Sequence, residues 1–229
     1  MDKKRKIIIF STVAAVILLS TFALVTVLYP LFNGPGIKTE ELDASKAQPA
    51  STDVDGHWQI AYGSAPNISS VGFTFHEILP AEKRITSGST QSIRGNVYVE
   101  NKTLTSGRIE VNMDDISSDQ EKRDINVRSK IFETDKYPTA TFDVAEKVDL
   151  STIGDHAEVA EIDVPGDLSI HGKTHRVVPT FKVVRSGKQI ILSTTIPINR
   201  LDYDVQTPEF VAAKIDENGE INVRLTLEK

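Results

Sequence analysis

The sequence predicts a mainly β protein, an antiparallel barrel or sandwich, carried behind a single membrane-spanning helix. Three observations predict it. An uncharged apolar run, Ile7 to Leu28, lies near the start of the chain. Period-two alternation of apolar and polar residues recurs from Val71 to Leu227. Turn signals such as Ser106-Gly107, Ser186-Gly187 and Glu217-Asn218-Gly219 separate the alternating stretches, and no βαβ pattern interrupts them.

The apolar run has no charge, Pro or Gly. As a helix at ~1.5 Å per residue it measures roughly 33 Å, enough for a bilayer core of ~30 Å. Residues 1–6 form a basic tail, with Lys3, Lys4, Arg5 and Lys6 against Asp2. Basic flanks stay cytoplasmic, so the rest of the chain is expected outside, with Tyr29 and Phe32 at the far interface. The alternative is a cleaved signal peptide. Its apolar region is usually shorter, and Val27-Leu28-Tyr29-Pro30-Leu31-Phe32 is too bulky for a small-x-small site. An uncleaved anchor is therefore the preferred reading. With no cysteine, lipoprotein acylation, disulfides and thiolate metal sites are all excluded.

Residues 29–55 carry Gly-Pro-Gly and then mostly polar and small residues, which reads as a flexible linker. Residues 56–229 suffice for one domain with a real core. The formal net charge is -6 although the N-terminus is basic. The outer domain is more acidic still, which argues against nucleic acid and against anionic headgroups as electrostatic partners.

Strands are expected around Val71-Phe75, Val97-Val99, Ile109-Met113, Phe142-Val144, Leu168-Ile170, Phe181-Val183 and Ile221-Leu227. One segment differs. Ser118-Asp119-Gln120-Glu121 fits a capping box, predicting a short helix through about Lys130 that ends before Tyr137-Pro138. Arg123 and Asp124 are expected to form a local ion pair there.

Four motifs then occur in order: Ile68-Ser69-Ser70-Val71-Gly72-Phe73-Thr74-Phe75; Arg123-Asp124 followed by Tyr137-Pro138-Thr139-Ala140-Thr141-Phe142; Leu168-Ser169-Ile170-His171-Gly172-Lys173-Thr174; and Asn199-Arg200-Leu201-Asp202-Tyr203. Together they resemble the YceI-like family of polyisoprenoid-binding proteins, from about Trp58 to Glu228. The chain departs from the family pattern at Ile68, Glu77, Asn126-Val127 and Tyr203-Asp204.

The resemblance implies an eight-stranded, lipocalin-like antiparallel β-barrel with a short helix. It also implies an elongated apolar lumen for an isoprenoid lipid, such as a quinone tail or polyprenyl chain, and possible pairing into homodimers. By alternation the inward candidates are Phe73, Phe75, Phe142, Leu168, Ile170, Phe181 and Val183, with Phe132 and Tyr137 where helix meets barrel. Each either fills the barrel or touches ligand.

Catalytic and metal sites are not expected. His171 and His175 are four apart, but Gly172 breaks the helix that would make them a metal pair, so His171 is read as a turn or structural hydrogen-bonding residue. Asp114, Asp115, Asp119 and Asp124 lack the spacing and glycine of a calcium loop. No Gly-x-Ser-x-Gly elbow or Gly-rich phosphate loop occurs. Asn67-Ile68-Ser69 and Asn101-Lys102-Thr103 match the glycosylation pattern, which is common by chance. The expected function is a membrane-anchored, extracytoplasmic binding or carrier protein for an isoprenoid-type lipid. The alternative is a structural or stress-related envelope module whose barrel is filled by its own side chains.

Overall fold

The structure, a computed structural model, describes residues 3–28, 34–78, 83–207 and 214–229. Tyr29 and Phe32 lie outside the described residues. The chain forms two compact units, residues 1–34 and 35–229. In the first, α1 (Lys3–Leu28) is a continuous helix, and its Lys3–Val25 stretch is long and apolar enough to cross a membrane.

The second unit is an antiparallel sheet of 13 segments. In chain order these are β1 (Gly56–Ala61), β2 (Ser70–Ile78), β3 (Lys83–Thr90), β4 (Ile93–Glu100), β5 (Thr103–Asn112), β6 (Thr139–Val144), β7 (Val148–Asp149), β8 (Ala160–Asp163), β9 (Gly166–Ile170), β10 (Lys173–Val177), β11 (Thr180–Ser186), β12 (Gln189–Asn199) and β13 (Lys214–Glu228). Many are halves of one broken strand. β8 with β9, and β10 with β11, form a single long hairpin whose register is unbroken from Ile170↔Lys173 to Ala160↔Val183. Its ladder is interrupted at Pro165 and Pro179, and proline has no N–H to donate. The Val164 N–H still reaches the Pro179 carbonyl at 3.0 Å, so the two halves remain one ribbon.

In the same way β1 and β2 share an edge of β13, and β6 and β7 share an edge of β5. β3 and β4 follow one another against β2 and β1. Thirteen segments thus make eight staves. One side of the long hairpin pairs with β6 and the other with β12, which closes the barrel. This is the lipocalin-like class expected, in which about eight strands leave an interior that side chains or one small ligand can fill.

Two expectations are corrected. The flexible linker does not run to residue 55. Residues 35–55 strap the outside of the barrel. Ser87 donates to Pro35 O and accepts from Ile37 N, Thr39 bonds Ser70 at 2.8 Å, and the Asn67 amide holds both backbone groups of Asp43 at 2.8 Å. Val54 is buried, and its carbonyl accepts the Trp58 indole N–H at 2.7 Å. The strap covers outward positions that are themselves polar and buried, such as Ser70 and Ser87. Hydrogen bonds hold it more than apolar area does, so composition gave no sign of it. Asn67, buried and bonded through both side-chain atoms, is not an available glycan acceptor in this fold.

The helix also differs. α2 (Glu121–Asn126) is followed by a π-helical turn, Val127–Ile131. No Ser118–Glu121 capping box forms. Instead one oxygen of the Asp124 carboxylate accepts from both the N–H and hydroxyl of Ser118. That use of Asp124 leaves Arg123 to pair with Asp119 at 2.5 Å, one turn back, rather than with Asp124.

Replacing Asn67 by Ala removes the side chain that holds the strap at Asp43. We expect a loss of ~1–3 kcal/mol in urea unfolding and faster proteolysis within residues 38–47. Unchanged protease resistance would show that the strap does not depend on this contact.

Candidate functional site

Alternation along the strands directs one apolar row from each stave into the barrel. The rows enclose two chambers. The larger in its lining, with about 80 Å³ of open space, is bounded by Phe73, Phe75, Met113, Phe132, Ile170 and Tyr203, among others. The smaller in its lining, also with about 80 Å³ of open space, is bounded by Trp58, Leu104, Leu150, Ile162, Val183 and Leu227, among others. Ile109, Phe142 and Phe181 border both. Phe142 and Phe181 meet edge to face, with centroids 6.1 Å apart. This aromatic pair is the partition between chambers. Each void is a fraction of the ~300–1,000 Å³ typical of ligand sites, so side chains fill most of the interior.

Three of the phenylalanines rest on glycines. A Cβ on Gly219 would lie 2.3 Å from the Phe75 ring, one on Gly166 2.2 Å from the Phe142 ring, and one on Gly88 2.9 Å from the Phe73 ring. Gly219 and Gly88 are the direct cross-strand partners of Phe75 and Phe73. The missing side chains let the rings lie against the barrel wall, which leaves space along its axis.

Of the nine expected lumen residues, Phe73, Phe75, Phe132, Phe142, Leu168, Ile170 and Phe181 border the larger chamber. Val183 borders the smaller. Tyr137 borders neither. It precedes β6, so strand alternation does not govern it, and its ring packs on His171 at 4.3 Å beside Gly172. Trp58, Met113, Ile116, Arg200 and Tyr203 also border the chambers and were not expected there. Trp58 and Met113 continue alternating patterns and were legible in principle. Arg200 and Tyr203 stand in a short 3-10 turn, Arg200–Tyr203, where no such pattern runs.

The histidines clamp this turn. His171 and Gly172 both have positive φ, 52° and 74°, as a two-residue hairpin between β9 and β10 requires. The carbonyl of Tyr203 can only accept, so His171 Nδ1–H donates to it at 3.2 Å, while Nε2 faces Glu133 at 3.2 Å. His175 Nε2–H donates to the Asp202 carbonyl at 2.9 Å. The Glu133 carboxyl is held below its ordinary range, first by Lys136 and then by His171. Burial pushes the Tyr203 hydroxyl upward, so it remains a protonated donor. Among the described residues, no three His, Cys, Asp or Glu side chains converge as metal ligands would.

A family model described as the YceI-like domain matches residues 62–227. Among solved structures, BcnA of Burkholderia cenocepacia is similar at TM-score 0.57 and 19% identity, covering 69% of this chain and 95% of that one. A polyisoprenoid binding domain from Saccharophagus degradans, implicated in plant cell wall breakdown, is similar at TM-score 0.55 and 15% identity, covering 75% and 97%. These likenesses show a shared fold. No curated protein matches the chain in sequence.

Gly166→Ala should drive Phe142 off the wall and cost ~1–3 kcal/mol of stability by overpacking. Adding Phe142→Leu should recover most of that loss, because the two residues share one space. Purely additive effects in urea unfolding would show that the ring does not depend on the glycine.

Proposed function

The chain belongs to the YceI-like family, and on that footing we propose that it binds or carries an isoprenoid-type lipid in its barrel. The observation that carries this reading is the pair of apolar chambers meeting at Phe142 and Phe181. Magnitudes favour a long chain. Burying on the order of 400 Å² of apolar surface gains roughly 10 kcal/mol. Association costs an estimated ~4–15 kcal/mol. A short tail confined to one chamber would barely offset that cost. A chain that displaces the Phe142–Phe181 contact and fills both chambers would exceed it. Recognition by burial has little direction, so length and bulk should matter more than chain chemistry. The work is passive, with no bond made or broken.

Native mass spectrometry of the full chain taken from its own membranes tests this reading. We expect one chain lipid per protein, with Phe73→Asp and the chamber-filling Ile221→Trp both losing it while remaining folded. A folded wild-type protein that is empty and refuses added polyprenols and quinones would instead favour a self-filled envelope module.

We further propose that α1 is an anchor with the N-terminus cytoplasmic and the barrel outside. The apolar span and its basic flank support this. The chain has no cysteine, so single cysteines can report topology. Ser151→Cys should react with an impermeant maleimide on intact cells, whereas Asp2→Cys should react only after permeabilisation. The opposite pattern would invert the topology, and a mature chain lacking residues 1–28 would identify a cleaved signal.

A further inference from the structure

The histidine of the β9–β10 turn is bonded in a way that only one of its charge states allows. His171 Nδ1 lies 3.2 Å from the Tyr203 carbonyl and Nε2 lies 3.2 Å from a Glu133 carboxylate oxygen. The imidazole is 8% exposed, so water does not readily substitute for either partner. A carbonyl only accepts, and so does an ionised carboxylate. Lys136 bonds the other carboxylate oxygen at 2.5 Å, which holds the Glu133 carboxyl below its ordinary range and keeps it ionised. With both partners accepting, each ring nitrogen carries a proton and the ring is an imidazolium. A neutral ring has one N–H and can keep one of the two bonds.

These two bonds join three segments. Glu133 directly follows Phe132, which closes the π-helical turn Val127–Ile131 and borders the larger chamber. Tyr203 lies in the 3-10 turn and borders the same chamber. His171 sits between them in the β9–β10 turn. Glu133 has φ 45°, a conformation that side chains other than glycine seldom adopt, so its place depends on what holds it. The other charges nearby have partners of their own. Lys173 and Asp204 pair at 2.9 Å, and the Asp204 carboxyl is held down first by Lys173 and only then by His171. His175 donates to the Asp202 carbonyl and meets the Tyr203 ring edge-on. The Tyr137 ring packs against His171 at 4.3 Å. Among the described residues, Glu133 is the carboxylate bonded to this ring.

We infer that His171 and Glu133 form a proton-dependent latch on the larger chamber, shut while the imidazole carries two protons and released when it loses one. That the latch controls lipid exchange rests on the lipid-binding reading above. Histidine is the side chain whose charge ordinarily changes between about pH 5 and 8. The direction follows from the partners. Glu133, with its carboxyl held low, stays ionised across that range. As pH rises the ring gives up a proton, and a bare nitrogen then faces either the Tyr203 carbonyl or the Glu133 carboxylate, lone pair against lone pair. In mild acid the segment carrying Phe132 is fixed and cargo is retained. In mild alkali that segment loosens and cargo exchanges faster.

The test uses the full-length protein in nanodiscs, wild type beside Glu133→Gln, at pH 5.5 and 8.5. An amide can accept from the ring or donate to it, so the variant pairs with either charge state. Amide hydrogen exchange is measured over residues 128–134, and comparison at equal pH removes the intrinsic pH dependence of exchange. We expect the wild-type-to-variant exchange ratio to rise about 10-fold from pH 5.5 to 8.5, the loss of one charged hydrogen bond. Ring ¹⁵N shifts should show both His171 nitrogens protonated at pH 5.5 and one at pH 8.5. A constant ratio, or a neutral ring at pH 5.5, overturns the latch. His171→Gln removes the titrating group and carries the same expected ratio, which covers a Glu133→Gln variant that does not fold. Release of preloaded geranylgeraniol should quicken with pH in the wild type and not in the variant. Release that ignores pH while exchange follows it overturns the control of cargo. A protein that takes up no geranylgeraniol but shows the exchange pattern overturns the carrier reading and upholds the latch.

Discussion

An antiparallel sheet that closes on itself must decide what to do with its interior, and every other feature of this protein follows from that closure. Eight staves leave too much room for small side chains and too little for a water-filled channel. The chain meets the constraint with rings. Phe73, Phe75, Phe142 and Phe181 point into the interior, and three of them lie back on the wall over Gly88, Gly219 and Gly166. Rings laid on glycines give an apolar lumen that side chains largely fill, with two small voids of about 80 Å³ each. An alanine at any of these glycines would push a ring inward and turn the lumen into an ordinary core.

Closure also explains the breaks. A barrel wall must bend, and continuous ladders resist bending. Pro165 and Pro179 lie on the two sides of the long hairpin, one register step apart, and remove donors where the ribbon changes from β8–β11 pairing to β9–β10 pairing. The Val164 N–H to Pro179 carbonyl bond keeps the halves in register through the bend. The hinge of the ribbon therefore lies between the parts of the wall facing the two chambers. Leu168 and Ile170 face the larger, Ile162 and Val164 the smaller.

The barrel was legible because one buried face imposes period two, and Phe73, Phe75, Phe142, Leu168, Ile170, Phe181 and Val183 all sit where alternation placed them. Features held by polar groups were not legible. Thr39, Ser70, Ser87 and Asn67 look like solvated residues in sequence, yet they are buried where the strap crosses the wall. Nothing in composition separates a polar segment that hydrogen-bonds to a sheet from one that dangles. The same blindness hid the true capping partner, because Ser118 finds Asp124 only once the chain has turned. Tyr137 shows the limit of the strand rule: one residue before Pro138 and outside β6, its direction is set by His171 and Gly172.

Polar groups fix the turn that follows β12. His171 and His175 hold the Arg200–Tyr203 turn by its carbonyls, and Arg200 in turn holds Val205 and the start of β13 by theirs. The turn is thus fixed from both sides before any ligand arrives. The one cationic side chain at this wall therefore serves the fold: the carbonyls of Asp216, Val205 and Ile215 take up its donors, which ties the turn to the start of β13 and lets a buried guanidinium be tolerated.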